Sequence, residues 1–262
     1  MYLPKHARVV TIGDGDLSFS RALLAHIPAE QLLATTYDDE HVLRDKYAIN
    51  ALDDLKKAGV ATLHGIDITS GNSLAELQAF EADIVIFNHP LVPTQKSYSQ
   101  YQKERDKSAN LMNRNLLYHF LKHSFETILS ISGLRLCYIT TKSVKPYSHW
   151  HIETSLCHQQ PFRYLGQEPF EVSLFKNYLV RNVDRDKCVK HEASDIYVYS
   201  DQADHSIQPR LTKFKYTADN HCPLCRKGPF ENESDWALHC NTRIHKAQQQ
   251  YSDAWFRHLS SL

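Results

Sequence analysis

Hydrophobic and polar positions along the 262-residue chain change period in a regular way. Arg8 to Ile12 is a short β-branched run that stops at Gly13-Asp14-Gly15-Asp16, and Ser18 to Ile27 then repeats apolar residues at helical intervals (Phe19, Ala22, Leu23, Ile27). This predicts strand, tight turn, helix. Leu32 to Tyr37 reads as a second strand closed by Asp38, Glu40 to Ala58 as a helix ended by Gly59, and Val60 to Ile66 as a third strand closed by Asp67. Ala82 to Phe87 is continuously apolar and bounded by Asn88-His89-Pro90, the pattern of a strand covered on both faces.

Residues 91–107 are polar and aperiodic and predict a long exposed loop. Ser108 to Ser130 predicts a helix, and Leu134 to Thr140 a further strand. Phe170 to Val183 and Ile196 to Tyr199 read as edge strands, with polar connectors at 184–195 and 200–213. There is no internal repeat. The alternation predicts an α/β fold with a doubly wound, mostly parallel sheet over residues 1–200, a linker at 201–215, and a small unit at 216–262.

Composition changes this picture little. With 42% hydrophobic and 23% charged residues the chain suits one substantial domain plus an appendage. No apolar run approaches the roughly 20 residues of a membrane span, and the first residues lack a secretory layout. Six cysteines, unevenly spread, do not form a secreted disulfide framework. A reducing compartment is expected: the cytoplasm, or the nucleolus of a eukaryotic cell.

Charge adds more. Lys+Arg and Asp+Glu both total 30, but residues 95–145 carry 9 basic against 3 acidic and residues 210–262 carry 8 against 5. A local field, not net charge, steers a polyanion, so these segments are candidates for a phosphate-facing side; scattered solvated lysines are the alternative.

In an open parallel sheet, ligands sit beyond the C-terminal strand ends. Here those ends carry Gly13-Asp14-Gly15-Asp16, Asp38, Asp67 and Asn88-His89-Pro90. Glycines at 13 and 15 permit close backbone approach, while Ser18 occupies the third glycine position of a dinucleotide fingerprint. Asp38 suits ribose hydroxyls and Asp67 an adenine amino group. Each acid alone reads as a turn or cap residue; together they suggest a site. Acid-rich turns repel pyrophosphate, so a cationic sulfonium fits better than a nicotinamide dinucleotide.

The segments VVTIGDGDLSFSRAL (9–23), ATTYDDE (34–40), HGIDIT (64–69), DIVIFNHP (83–90), NRNLLYHFL (113–121) and KPYSHWHIE (145–153), with a weaker echo in FKNYLVRNV (175–183), carry a family resemblance. The chain resembles Rossmann-like methyltransferases typified by the fungal large-subunit ribosomal RNA uridine-N3 methyltransferase. The resemblance implies a class I methyltransferase fold, S-adenosylmethionine as donor and an RNA base as acceptor. Carried over by position, Gly13, Asp14, Gly15, Ser18, Phe19 and Ser20 would surround the methionine part, Asp38 the ribose and Asp67 the adenine, with Asn88 and Pro90 beside the transferable methyl. His89 departs from the family's usual aromatic or aliphatic residue, and the segment after Pro90 lacks its usual histidine and glycine. Transfer to a uridine ring nitrogen needs a base nearby, for which His89 and Asp16 are candidates, His89 alternatively only hydrogen-bonding. Tyr147 and Trp150 could stack on an extruded base or pack on the sheet.

Cys222-Pro-Leu-Cys225, 13 intervening residues, and His239 and His245 separated by five have the spacing of a Cys2His2 zinc site. A helix from Glu233 to Tyr251 would carry the histidines, with Ser234 as N-cap, Trp236 and Leu238 as core and Cys240 off the ligand face. The histidine spacing resembles U1/matrin or double-stranded-RNA fingers, so Arg226, Lys227, Arg243 and Lys246 would face phosphates; a protein-binding role is the alternative. The expected function is S-adenosylmethionine-dependent methylation of a base in structured RNA, ribosomal or transfer. A catalytically silent RNA-binding or assembly factor on the same fold is the alternative.

Overall fold

The computed structural model describes residues 1–71, 74–92, 108–181, 186–187 and 193–262. Most of the expected 91–107 loop, part of the 184–195 connector, and Cys188 lie outside the described residues. Seven strands form one sheet: β1 (Val9–Thr11), β2 (Leu32–Thr35), β3 (Ala61–Leu63), β4 (Ile84–Asn88), β5 (Leu136–Lys142), β6 (Arg163–Pro169) and β7 (Ser194–Ser200), in the order β3-β2-β1-β4-β5-β7-β6. β3 through β5 are parallel, with Val9 opposite both Leu32 and Ile84 and Asn88 opposite Thr140. β7 runs antiparallel to both β5 and β6.

Consecutive side chains of a strand point to opposite faces. Val10, Ile12, Val85, Phe87, Cys137 and Ile139 accordingly enter one apolar layer, and Val9, Leu32, Ile84, Ile86, Leu136 and Tyr138 the other. Helices α1 (Ser18–Leu23), α2 (Glu40–Lys46) and α3 (Leu52–Ala58) contribute Phe19, Leu43 and Leu55 to the second layer. On the first lie α4 (Ala75–Ala79), through Leu77, and α5 (Ala109–His123), through Leu117, Phe120 and Leu121. Among the described residues no helix is long and apolar enough to cross a membrane, and the five described cysteines are free.

The expected single helix 40–58 is two. Between them Ala51 N–H donates to the Asp16 carbonyl at 2.9 Å, and the Asn50 side chain accepts from Leu52 N–H at 3.3 Å. This long-range tie draws Tyr47 beneath the first loop, which helical periodicity alone does not anticipate. Of the strand expected over Phe170 to Val183, the described part, 170–181, is not a strand: after a 3-10 turn at Val172–Leu174 it crosses the first loop, where Leu179 N–H donates to Ser18 Oγ. The strand stands earlier, as β6, where Gly166 and Pro169 interrupt the apolar alternation. Gly166 has φ 151°, and a Cβ there would lie 2.7 Å from the Thr212 carbonyl oxygen. Residues 201–215, read as a linker, pack on this edge, with Gln167 and Thr212 exchanging backbone hydrogen bonds and Ile207 buried.

Beyond them, α6 (Ile152–Ser155) follows β5 in the KPYSHWHIE segment, while α7 (Glu233–Cys240) and α8 (Arg243–Leu259) replace the expected continuous helix 233–251. The N-caps are Asn232, accepting from Asp235 N–H, and Thr242, accepting from His245 N–H; Ser234 lies inside α7. Trp236 and Leu238, expected as core, are exposed; Trp255 of α8 is the buried anchor.

Candidate active site

The parallel strand ends bring the predicted loops together around one cavity of about 540 Å³. Gly13 (φ 60°) and Gly15 form its floor, and a Cβ at either would lie 3.1 Å from the Phe87 ring or the Tyr47 hydroxyl, respectively. Asp14, Asp16, Asp38, Asp67, Asn88, His89 and Pro90 all line it.

The four acids are held in different ways. Asp14 Oδ2 accepts from both Ser20 N–H and Ser20 Oγ at 2.6 Å, which fixes it over the start of α1. Desolvation first, and the charge of Asp16 second, push its carboxyl up to about 7 against the lowering effect of those bonds. Asp16 accepts from Ser18 N–H at 3.0 Å and pairs with Arg181 Nε at 2.6 Å. Both carboxylate oxygens of Asp16 are thus engaged, one by the turn into α1 and the other by Arg181, and they anchor the loop. Asp38 pairs with Lys46 Nζ at 2.5 Å at the end of β2. Asp67 Oδ1 accepts from Thr69 N–H and Oγ1–H, closing the turn after β3.

At the end of β4 the Asn88 amide is buried with neither its oxygen nor its nitrogen hydrogen-bonded. Buried amides are rarely left so, and Asn88 is among the residues that line the cavity. His89 follows in a left-handed conformation (φ 49°), its ring parallel to Tyr178 at 6.5 Å and edge-on to Phe170 at 5.8 Å.

Ser18, Phe19 and Ser20, expected around the methionine part, do not line the cavity. Ser20 bonds Asp14 and Thr11, and Phe19 packs in an aromatic group with Phe175 and Tyr178, so all three support the loop from beneath. Trp150 is buried and unavailable for stacking on a base; Tyr147 lines the cavity, edge-on to Trp150.

Several lining residues escaped sequence reasoning: Lys46 and Tyr47, Lys142 at the end of β5, and Tyr178 to Arg181. Of these, Tyr178 to Arg181 all stand within the FKNYLVRNV echo, a signal that could have found them. Leu111, Met112, Asn115 and Leu116 of α5 and His258 of α8 also line the cavity.

Residues 10–182 match the BMT5-like family, described as rRNA (uridine-N3-)-methyltransferase. The chain belongs to that family. The fold that carries it is a mixed seven-stranded sheet with helices on both faces. The chain is 29% identical over 149 residues to heavy metal-associated isoprenylated plant protein 41 of Arabidopsis thaliana, covering 56% of this chain and 27% of that protein. To an uncharacterized protein of the same plant it is 25% identical over 177 residues, covering 66% and 81%. Among solved structures, a 30S ribosomal A1408 methyltransferase from an uncultured bacterium is similar with a TM-score of 0.40 at 10% identity, covering 74% of this chain and 87% of that one.

The BMT5-like match ends before the Cys/His segment. There the ligand atoms of Cys222, Cys225, His239 and His245 all lie within 4.8 Å of one another, and Cys240 is outside the cluster. Metal–sulfur and metal–nitrogen lengths of about 2.3 and about 2.0–2.1 Å at tetrahedral angles require N···N near ~3.3 Å and S···N near ~3.6 Å. His239 Nε2 and His245 Nδ1 are 3.2 Å apart, and His245 Nδ1 lies 3.4 Å from Cys222 Sγ and 3.7 Å from Cys225 Sγ. The donor set fits a tetrahedral zinc ion. One unbroken helix would not assemble this set: six residues rotate a helix by roughly 600°, which would turn the two imidazoles to different faces. The interruption at Asn241-Thr242 returns His245 to the cluster. Lys227, Arg243 and Lys246 are exposed, but Arg226 is not the phosphate contact expected: its guanidinium reaches Glu153 at 3.2 Å and covers the Tyr216 ring at 5.0 Å.

Proposed function

We propose that the chain is an S-adenosylmethionine-dependent RNA base methyltransferase acting on a ring nitrogen of uridine in structured RNA. Family membership supports the class of reaction, and the observation that carries the site is the unpartnered Asn88 amide on a cavity ringed by Gly13, Gly15, Asp38 and Asp67. When bound, the sulfonium supplies an electrophilic methyl group for in-line transfer to the nitrogen, whose proton must leave. In this reading Gly13 and Gly15 admit the donor's methionine part, Asp38 takes the ribose and Asp67 the adenine. Asn88 and the Pro90 turn orient the acceptor, and His89 receives its proton. A ribosomal or transfer RNA, encountered in the cytoplasm or nucleolus, is the substrate class. A catalytically silent factor is disfavoured by a cavity that keeps an unmet amide.

The Cys/His cluster is assigned a structural zinc ion, with Lys227, Arg243 and Lys246 presented to RNA phosphates. Calorimetric titration with S-adenosylmethionine tests the donor. Mass spectrometry of nucleosides from cells lacking the gene tests the acceptor: loss of one methylated uridine is expected, and an unchanged profile with no heat of binding would overturn the reading.

A further inference from the structure

The segment after the Cys/His cluster does not stand apart from the cavity. Helix α8 begins beside the metal ligands, with His245 in its first turn, and ends on the sheet domain. Along the way, His151 Nε2–H donates to the Gln248 side-chain oxygen at 3.1 Å, and the buried Trp255 indole donates to the Ser155 carbonyl at 2.9 Å. One turn further, His258 Nε2–H donates to Asn115 Oδ1 at 2.8 Å, and both residues line the cavity. The knuckle docks separately, through Arg226 and the buried Glu153 of α6.

We propose that His258 is a positioning residue of the methyl-transfer cavity, delivered by a helix whose placement the Cys/His metal site fixes. The inference rests on the donor assignment above. His258 holds the Asn115 carbonyl and so fixes the orientation of that amide, NH2 group included, at the cavity. The seam borders the turn after β3: His123 Nδ1–H of α5 donates to the Ile68 carbonyl at 2.7 Å, beside Asp67. Cofactor affinity is therefore the quantity that should respond. Losing the metal frees the start of α8 from the knuckle, and α8 is then held only by its contacts with the domain.

The test uses the full zinc-loaded chain. S-adenosylmethionine is titrated calorimetrically into the unmodified protein, His258→Ala, His258→Gln and chelator-stripped protein, with zinc stoichiometry measured for each variant. Deuterium uptake of α5 is followed with and without chelator. Expected are an about tenfold loss of affinity in His258→Ala at unchanged zinc content, a similar loss on stripping, recovery to within about threefold in His258→Gln, which keeps a donor, and faster exchange in α5 on stripping. Unchanged affinity in His258→Ala, or unchanged α5 exchange on chelation, overturns the proposal. If the unmodified chain binds no cofactor, the methyltransferase reading fails instead, and α5 exchange alone decides the seam.

Discussion

The strand-end cavity and the Cys/His cluster are both small sets of polar side chains, yet they are built by different means. The cavity residues hang on strand ends whose buried registers are set by the sheet, and all four acids are tied by hydrogen bonds or ion pairs: Asp14 to Ser20, Asp16 to Arg181, Asp38 to Lys46, Asp67 to Thr69. The cluster draws four ligands from a knuckle, the short α7 and the first turn of α8, and Trp236 and Leu238 beside it are exposed. Sheet packing preorganises the first; the second, in the proposed reading, gains its order from a bound ion.

The largest expected effect breaks or upholds that contrast directly. Cys222→Ser, or chelation, should unfold the knuckle and α7, a loss on the order of 10 kcal/mol of metal-linked folding free energy, while α8 stays on the domain through Trp255. Circular dichroism should show lost helix while the thermal transition of the sheet domain survives; an unchanged helical signal would make the two regions alike. Next, Asn88→Ala should lower the methyl-transfer rate about 100-fold while cofactor affinity changes less than about threefold, read from single-turnover kinetics. Asp38→Ala should weaken S-adenosylmethionine binding about 10–30-fold, measured by calorimetry, with little change in thermal midpoint because Asp38 lies outside the core.

The effect of pH is smaller and follows from Asp14. A carboxyl raised to about 7 favours the folded state in its protonated form, so its contribution to stability is full below pH 4 and declines as pH rises to about 7. A cationic ligand beside it reverses the preference. Cofactor binding should release a proton below pH 7 and tighten up to about tenfold between pH 6 and 8. Calorimetry in buffers of different ionisation enthalpy reads this, and Asp14→Asn should abolish the slope. Smallest, Lys227→Ala and Lys246→Ala should each reduce the salt slope of RNA binding by about 0.7–0.9 with little change in cofactor affinity. Fluorescence anisotropy across a salt series checks it.

Much of the parallel half was legible because one strand repeats one local rule: buried apolar residues, then a turn of glycine or acid. Gly13, Asp38, Asp67 and Asn88 were read from that rule, and the cavity brings them together. What escaped depends on contacts distant in sequence. Arg181 is 165 positions from Asp16, and nothing local marks it as that carboxylate's partner. His258 reaches Asn115 across 143 positions, through a helix whose direction depends on a break at Asn241-Thr242. β6 was missed because Gly166 makes room for Leu211 and Thr212, a need visible only once that segment lies on the edge. Ser18, Phe19 and Ser20 belong to the same motif, and their side chains brace the loop outside the cavity lining.

The order β5-β7-β6 has a bearing on how the chain acquires its shape. Among the described strands β6 is joined to the sheet through β7 alone, although β6 is synthesised first. Until β7 emerges and threads between its neighbours, the edge of β5 and the whole of β6 remain open to pairing with other chains. Assembly is thus expected to proceed from a five-stranded parallel intermediate to a late insertion step, during which this protein is most prone to aggregate.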